Sequence, residues 1–507
     1  MFHRVTRRGF VAKSLTAGAL AGVGDFAFLN RLPRLSAAEG KVTPGTVQLN
    51  ADIEPLVRVI ENTDREDLLP LVVSRIKDGR ASYQQLLSAV FLAGVRGIQP
   101  RPVGFKFHAV LVINSAHLAS LAAPDNDRWL PLFWAIDNFK SSQAQNKAQG
   151  DWHMPPVAED KLPPAHQAKQ RFVEAMDNWD EEGADRAVAA LARTAGADEV
   201  FELFCRYGAR DFRDIGHKAI YVANSYRTLQ TIGWRHAEPV LRSLAYALLE
   251  HREPGNPAKQ DLEPDRPGRD AVKRIAAMGH LDRATKDDPK AGAELLACLR
   301  SGSWSDGAEM VVELSRKGVH PRCVWDGLFL TAGELLMRQP GIVGLHCCTT
   351  VNALHYAYQT AGRDETRRLM MLQAAAFLPM FRQAMTGRGK LADLRLDDLQ
   401  KAEGAAGGIE QIFHDVSKDR MKAARETLRL LESNPRAVQP LMATARRLVF
   451  SKGRDSHDYK FSSAALEDFY HLSPAWRTRY AAASMFNLRG ADDPNNRLIV
   501  KMKGALS

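Results

Sequence analysis

Histidine and asparagine recur at the same spacing in two apolar segments of the sequence. Residues 108–117 and 346–355 both read H-x5-N-x2-H, and a third segment has His217 followed by Asn224. Buried imidazoles and amides are costly unless they are hydrogen-bonded or bound to a ligand. Imidazole is also the commonest metal ligand among side chains and a general acid–base group. The three segments therefore predict a shared polar centre that binds a metal or moves protons.

Helical geometry limits which histidines can meet. Residues nine apart on a helix point in nearly opposite directions, at about 100° per residue. His108 and His117 therefore cannot face one centre from a straight helix, and the same holds for His346 and His355. A shared site needs one histidine from each segment. We expect His108, His217 and His346 to act as metal ligands or as acid–base groups.

Other polar residues lie near the predicted centre. Asn224 shares a helix face with His217, and Thr350 lies near the face of His346, so both are candidates to orient a substrate or ligands. Asp137 and Glu334 are acids inside apolar runs. Each either forms a salt bridge or a hydrogen bond at a helix end, or completes the site as a metal ligand.

The donor set limits the choice of metal. Three imidazoles suit zinc, iron or copper, and an added carboxylate suits non-haem iron or manganese. The expected cofactor is therefore iron or another transition metal.

Hydrophobic periodicity predicts an all-α protein. Apolar residues recur with the 3.6-residue period of amphipathic helices nearly everywhere after residue 50. Residues 105–143, 216–251 and 341–381 each read as a helical hairpin that carries one histidine segment. Repetition of one such unit predicts stacked hairpins, in a repeat-like or toroidal array.

The first residues resemble a twin-arginine export signal. Arg7-Arg8-Gly9-Phe10 is followed by a short apolar stretch and by small residues that suit cleavage. The stretch is too short for a stable membrane span. We expect a signal peptide over 1–38, a helical domain over 39–385 and a helical or irregular region over 386–507. The predicted location is the periplasm, with the export machinery as a partner and with the cofactor inserted before export.

Charge and cysteine content exclude several classes of protein. About half of the net charge of +10 lies in the predicted signal, so we do not expect nucleic-acid binding. The five cysteines include no C-x-x-C motif, which argues against zinc ribbons and covalent haem. Cys347 and Cys348 are expected to be small buried side chains. The sequence contains no P-loop, G-x-S-x-G or EF-hand motif.

Three segments resemble the questin oxidase-like family in matching order. Gly216-His217 before an apolar helix, with Glu238-Pro-Val-Leu-Arg-Ser-Leu-Ala-Tyr-Ala beyond it, is similar to one family region. Residues 345–354 resemble a later H-x-x-T helix, and His108 lies where the family has an early histidine helix. Lys218 stands where the family has proline. The resemblance implies a helical oxygenase that uses O2 and a nicotinamide, although nicotinamide is scarce in the periplasm and is doubtful here.

Three functions remain open from the sequence. The first is an exported, oxygenase-like oxidoreductase with a histidine-lined centre that acts on a small organic substrate. The second is a non-catalytic helical-repeat protein that binds a ligand or partner, with satisfied core histidines. The third is a periplasmic hydrolase or lyase whose cleft is lined by stacking tryptophans, for which the candidates are Trp129, Trp134, Trp152 and Trp234.

Overall fold

The computed structural model describes residues 45–404 and 407–506. Over these ranges the chain is all-α, as predicted, with α-helices joined by turns and short 3-10 helices and with no β-strand. The predicted signal peptide, residues 1–38, lies outside the described residues. Within the same ranges, no helix combines the length and the apolar character needed to cross a membrane.

The helices fall into three consecutive groups along the chain. Those before residue 210 are α1 (Glu54–Asn62), α2 (Arg65–Lys77), α3 (Tyr83–Gly97), α4 (His108–Leu111), α5 (Ile113–Leu121), α6 (Leu130–Ala148), α7 (Ala165–Asp177), α8 (Glu181–Thr194) and α9 (Ala197–Gly208). Those between residues 210 and 390 are α10 (His217–Ile232), α11 (Ala237–Leu248), α12 (Arg266–Arg274), α13 (Pro289–Ser301), α14 (Trp304–Arg316), α15 (Pro321–Arg338), α16 (Ile342–Thr360) and α17 (Asp364–Thr386). Those after residue 400 are α18 (Ile409–Lys418), α19 (Arg420–Ser433), α20 (Val438–Lys452), α21 (Ser456–His471), α22 (Arg477–Ser484) and α23 (Arg497–Leu506).

The three predicted helical hairpins are confirmed. Helix α5 packs against α6, α10 against α11, and α16 against α17. The histidine segments of the second and third pairs lie on α10 and α16, and the first segment spans the short helix α4 and the start of α5. Helix α10 also packs against α4, α5 and α16, so the three hairpins meet along their histidine-bearing helices.

Helix α16 is the central helix of this arrangement. Its sequence contains no Asp, Glu, Lys or Arg, and it packs against α10, α15, α17 and α21. A helix that is apolar on all sides is stable only when neighbours cover it. Each of its fully buried Leu and Val side chains contributes roughly 1.5–3 kcal/mol through burial. Both Cys347 and Cys348 are free and buried within it, as predicted.

The C-terminal region belongs to the same packed body as the three hairpins. Helix α21 packs against α5 and α16, and apolar residues on both sides of the predicted border at residue 385 share one hydrophobic core. The region after residue 451 is mainly helical. The start of α21 therefore lies beside the helices that carry the predicted histidines.

Candidate metal centre

The structure brings together the three predicted histidines, each near the start of a helix. His108 and His217 are the first residues of α4 and α10, and His346 lies in the second turn of α16. All three are buried. One ligand nitrogen from each ring lies within 4.8 Å of those of the other two.

The three rings make the same backbone contact through Nδ1. The pairs are His108 Nδ1 with Phe105 O at 2.9 Å, His217 Nδ1 with Asp214 O at 2.5 Å, and His346 Nδ1 with Ile342 O at 2.6 Å. A carbonyl oxygen only accepts hydrogen bonds, so each Nδ1 carries the proton and donates it. In a neutral ring Nε2 is then the unprotonated nitrogen. A carbonyl behind the other ring nitrogen is typical of histidines that bind metals through Nε2.

The Nε2 atoms of His108 and His217 lie 3.1 Å apart. Two lone pairs at this distance repel each other unless a proton or a metal ion lies between them. Ligands on neighbouring positions of a metal, with bonds of about 2.0–2.1 Å, are separated by about 2.9–3.4 Å. The Nε2 atom of His346 is buried and has no hydrogen-bond partner among the described residues. The three imidazoles are therefore placed so that they could bind one metal ion.

Burial disfavours the alternative of a protonated cluster. It lowers the pKa of His108 and His217 well below the ordinary value, and the charge of Lys460 adds to the effect. Burial and the neighbouring His217 ring lower the pKa of His346 in the same direction. The pKa of Lys460, which is itself fully buried, is lowered to about 7 by burial. The three imidazoles are thus neutral near pH 7. Above that pH Lys460 is neutral as well, so no positive charge on Lys460 repels a metal cation there.

Two glycines allow the segments to approach this closely. Gly216 has φ of +79°, and a Cβ atom there would lie 2.1 Å from Oγ1 of Thr350, one turn beyond His346 on α16. Gly104 has φ of +141°, and a Cβ atom there would lie 3.3 Å from the His217 ring. Positive φ favours glycine because a side chain would collide with its own backbone. These glycines therefore help to set the spacing of the histidine segments.

The cluster lies in the wall of a cavity of about 740 Å³. Sites for small organic ligands span roughly 300–1,000 Å³. Phe105 and Ile342 line the cavity with apolar surface and are 75% and 37% exposed. Charged side chains of both signs complete the wall, among them Arg388 and the ion pair of Arg252 with Asp214. The cavity therefore gives a molecule with apolar and polar parts access to the histidines.

A fourth histidine at the cluster was not identified from the sequence. The centroid of the His457 ring lies 4.5 Å from that of His108 and 5.1 Å from that of His346. Its Nε2 atom is buried and has no hydrogen-bond partner among the described residues. His457 is the second residue of α21, and Asp455 caps that helix by accepting a hydrogen bond from the His457 backbone N–H at 2.8 Å. The sequence Asp455-Ser456-His457 resembles an ordinary helix N-cap exposed to solvent. This pattern therefore does not indicate that the His457 imidazole belongs to the cluster.

The two predicted carboxylate ligands do not lie at the centre. Asp137 makes two hydrogen bonds to Arg65, at 2.6 and 2.7 Å. Glu334 makes two to Arg300, both at 2.8 Å, and accepts a third from the backbone of Leu396. Among the described residues, the histidine trio is the only group of potential ligands this close together, and it includes no carboxylate. Salt bridges, the alternative expected from sequence, account for both acids.

The predicted orienting residues differ in their surroundings. The amide of Asn224 donates to the Leu111 carbonyl at 3.0 Å and links α10 to α4, so it supports the helix packing. Thr350 is fully buried beside Gly216, and its hydroxyl has no hydrogen-bond partner among the described residues. Neither residue lines the cavity. Both residues therefore support the packing of the histidine-bearing helices on the side away from the cavity.

The second histidine of each motif points elsewhere, as the helix geometry requires. His117 lies 3.1 Å from the Tyr83 hydroxyl. The centroid of the His355 ring lies 4.7 Å from that of Trp325 and 4.5 Å from that of His471. Both therefore pack into other parts of the core.

Comparison of the chain with protein-family models, with curated proteins and with solved structures finds no match. The functional argument therefore depends on the geometry of the site.

Proposed function

We propose that the protein is a metal-dependent oxidoreductase that holds a transition metal on His108, His217 and His346. The observation that carries this proposal is the 3.1 Å separation of two Nε2 atoms whose rings both donate through Nδ1 to carbonyl groups. A metal ion relieves the repulsion between these lone pairs and uses the third, unpartnered Nε2 atom of His346. The neighbouring cavity is the binding site of a small organic substrate.

Imidazole ligands select iron, copper or zinc over magnesium or calcium. Iron or copper in such a site supplies electron transfer and reactivity towards O2. Two features favour this oxygenase-like chemistry: the resemblance of the three histidine segments to the questin oxidase-like family, and the cavity beside the imidazoles. The protein residues position the metal, and the cavity wall holds the substrate beside it.

The two other functions have less support from the site. In a non-catalytic scaffold with satisfied core histidines, we would expect a partner for each ring nitrogen, yet His346 Nε2 has none among the described residues. In a polymer-cleaving enzyme we would expect tryptophans in the cleft. Instead, Trp129, Trp134, Trp152 and Trp234 pack against other aromatic rings and none lines the cavity.

The decisive experiment is elemental analysis of protein that has folded in the cytoplasm and been purified without chelator. We expect near-stoichiometric iron or another transition metal, and loss of that metal in His217→Gln and His346→Gln with unchanged helicity by circular dichroism. His251→Gln is the matched control, because His251 lines the same cavity but its ring nitrogens contact the carbonyls of Leu249 and Gly255. A stable wild-type protein that binds no transition metal would overturn the proposal.

We also propose that the protein is exported through the twin-arginine pathway to the periplasm. The support is the Arg7-Arg8-Gly9-Phe10 sequence and the small residues near position 38. Replacing Arg7 and Arg8 by lysine should leave the protein in the cytoplasm on cell fractionation, whereas Arg4→Lys should not. Periplasmic protein from the double variant would contradict export by this route.

A further inference from the structure

We propose that His457 is a fourth protein ligand of the metal, delivered by the C-terminal region. This inference rests on the proposed metal centre and extends it from three imidazoles to four. It assigns a role to a residue that lies more than a hundred positions beyond the last of the other histidines.

The position of the His457 ring supports this role. Its centroid lies 4.5 Å from that of His108 and 5.1 Å from that of His346. The centroid distances within the trio are 5.0 Å for His108 and His217, 6.1 Å for His108 and His346, and 4.3 Å for His217 and His346. His457 is therefore as close to two members of the trio as those members are to each other.

The hydrogen bonding of His457 also fits a ligand. Its Nε2 atom is buried without a partner among the described residues, although the side chain as a whole is 22% exposed. A buried nitrogen that makes no hydrogen bond loses the solvation that it has in water, and a bound metal ion would offset that loss. Its Nδ1 atom lies 3.3 Å from Oδ1 of Asp455. A carboxylate beside the second nitrogen is a common partner of metal-binding histidines.

Helix α21 is fixed firmly enough to present such a ligand. The Ser463 hydroxyl donates to that of Ser115 on α5 at 2.8 Å. Asp468 accepts from the Asn352 amide on α16 at 2.6 Å. These two contacts attach α21 to the helices next to His108 and to the helix of His346, so the backbone of His457 has a set distance from both.

Only the side chain of His457 has to move. Its ring contacts those of His108 and His346, but its nitrogens are not part of the group whose ligand atoms lie within 4.8 Å of one another. The proposal therefore requires the imidazole to rotate about its two side-chain bonds so that Nε2 faces the other three nitrogens. The resulting set of four imidazoles suits iron, copper or zinc.

The test is titration of metal-free protein with cobalt(II), whose visible spectrum reports the number and type of ligands. Wild-type protein is compared with His457→Phe, which keeps an aromatic ring of similar size but has no nitrogen. We expect the affinity for cobalt to fall by at least about 10- to 100-fold, the loss typical of removing even a residue that supports a ligand. The spectrum of the bound ion should change as well. His471→Phe, at the other end of α21, is the matched control and should bind cobalt as the wild type does.

The outcomes separate this inference from the function on which it rests. Binding by the wild type, loss in His346→Gln and weakened binding with an altered spectrum in His457→Phe would support both proposals. Unchanged affinity and spectrum in a folded His457→Phe variant would overturn the fourth ligand and leave the trio in place. Absence of binding by the wild type would overturn both.

Discussion

Gly216 lies against Thr350 so closely that a Cβ atom on the glycine would be 2.1 Å from the threonine hydroxyl oxygen. Gly216 directly precedes His217, and Thr350 lies one turn beyond His346. This contact therefore fixes how near two of the three imidazoles come to each other.

The first prediction concerns Gly216→Ala. The methyl group would displace α10 from α16, so we expect lower stability and loss of metal binding. The matched control is Gly79→Ala, because Gly79 has φ of +68° but a Cβ atom there would meet nothing within 4 Å. The control should cost only the conformational penalty, about 1–2 kcal/mol. Urea unfolding and cobalt titration of both variants measure the difference, and equal effects would contradict the prediction.

The second prediction concerns the stability of the metal-free protein in acid. Burial lowers the pKa of His108, His217 and His346, so below about pH 6.5 the unfolded chain binds protons that the folded chain does not. The contribution of these three histidines to stability is therefore complete above pH 6.5 and is lost as the pH drops. The slope is at most about 1.4 kcal/mol per pH unit for each histidine. Urea unfolding at several pH values should show that the free energy of unfolding depends less steeply on pH in His346→Leu than in the wild type. An unchanged dependence on pH would contradict the prediction.

The third prediction concerns Lys460, which is fully buried and whose Nζ atom has no hydrogen-bond partner among the described residues. Its pKa of about 7 in the folded protein, against 10.5 ordinarily, means that the unfolded chain binds more protons between these values. Wild-type stability should therefore rise with pH above 7, by up to about 1.4 kcal/mol per unit. Lys460→Met should be more stable than the wild type at pH 7 and should lack this rise.

Lys218→Met provides the comparison for Lys460→Met. Lys218 is equally buried, but it forms an ion pair with Asp211 at 2.9 Å and donates to the carbonyls of Leu248 and Glu250. Its loss removes the nearest of three cations from the buried Asp211 carboxylate, although Arg213 and Arg210 remain at 3.4 and 3.7 Å, so this variant should be destabilised. Urea unfolding at pH 7 should therefore show opposite signs for the two lysines. If the free energy of unfolding changed in the same direction in both variants, the explanation by different pairing of the two lysines would be wrong.

The fourth prediction separates the two carboxylates from the metal centre. Glu334→Gln breaks a buried ion pair with Arg300 and should cost about 3 kcal/mol. Asp137→Asn breaks a pair whose Arg65 side chain is 50% exposed and should cost less than about 1 kcal/mol. Neither change should alter metal content. Loss of metal from a folded Asp137→Asn or Glu334→Gln variant would restore that residue as a candidate ligand.

The hairpins and the histidine trio could be predicted because both leave local patterns. The 3.6-residue period indicates each helix. A polar residue inside an apolar run, such as His346 in α16, indicates that the helix buries a polar side chain, which costs free energy unless that side chain has a partner. The rule of one histidine per helix then follows from helical geometry alone.

The remaining site residues depend on partners far away in the sequence. The sequence could not decide between a salt bridge and metal binding for Glu334, because its ion-pair partner Arg300 lies on another helix. His457 was missed because it belongs to a polar helix start with no apolar run before it. Its burial arises only when α21 packs against α5 and α16, and nothing in its own sequence indicates that contact.

The spread of the four clustered histidines along the chain affects when the proposed site can assemble during synthesis. His108 and His217 are separated by 109 positions, and His346 follows much later. A ribosome that has not yet translated residue 346 carries a chain with only part of the proposed site, and His457 is added a further 111 positions along the chain. Under the proposed function, the complete site can therefore form only after residue 457 has been translated, and a product truncated before residue 346 lacks it even when its early helices have formed.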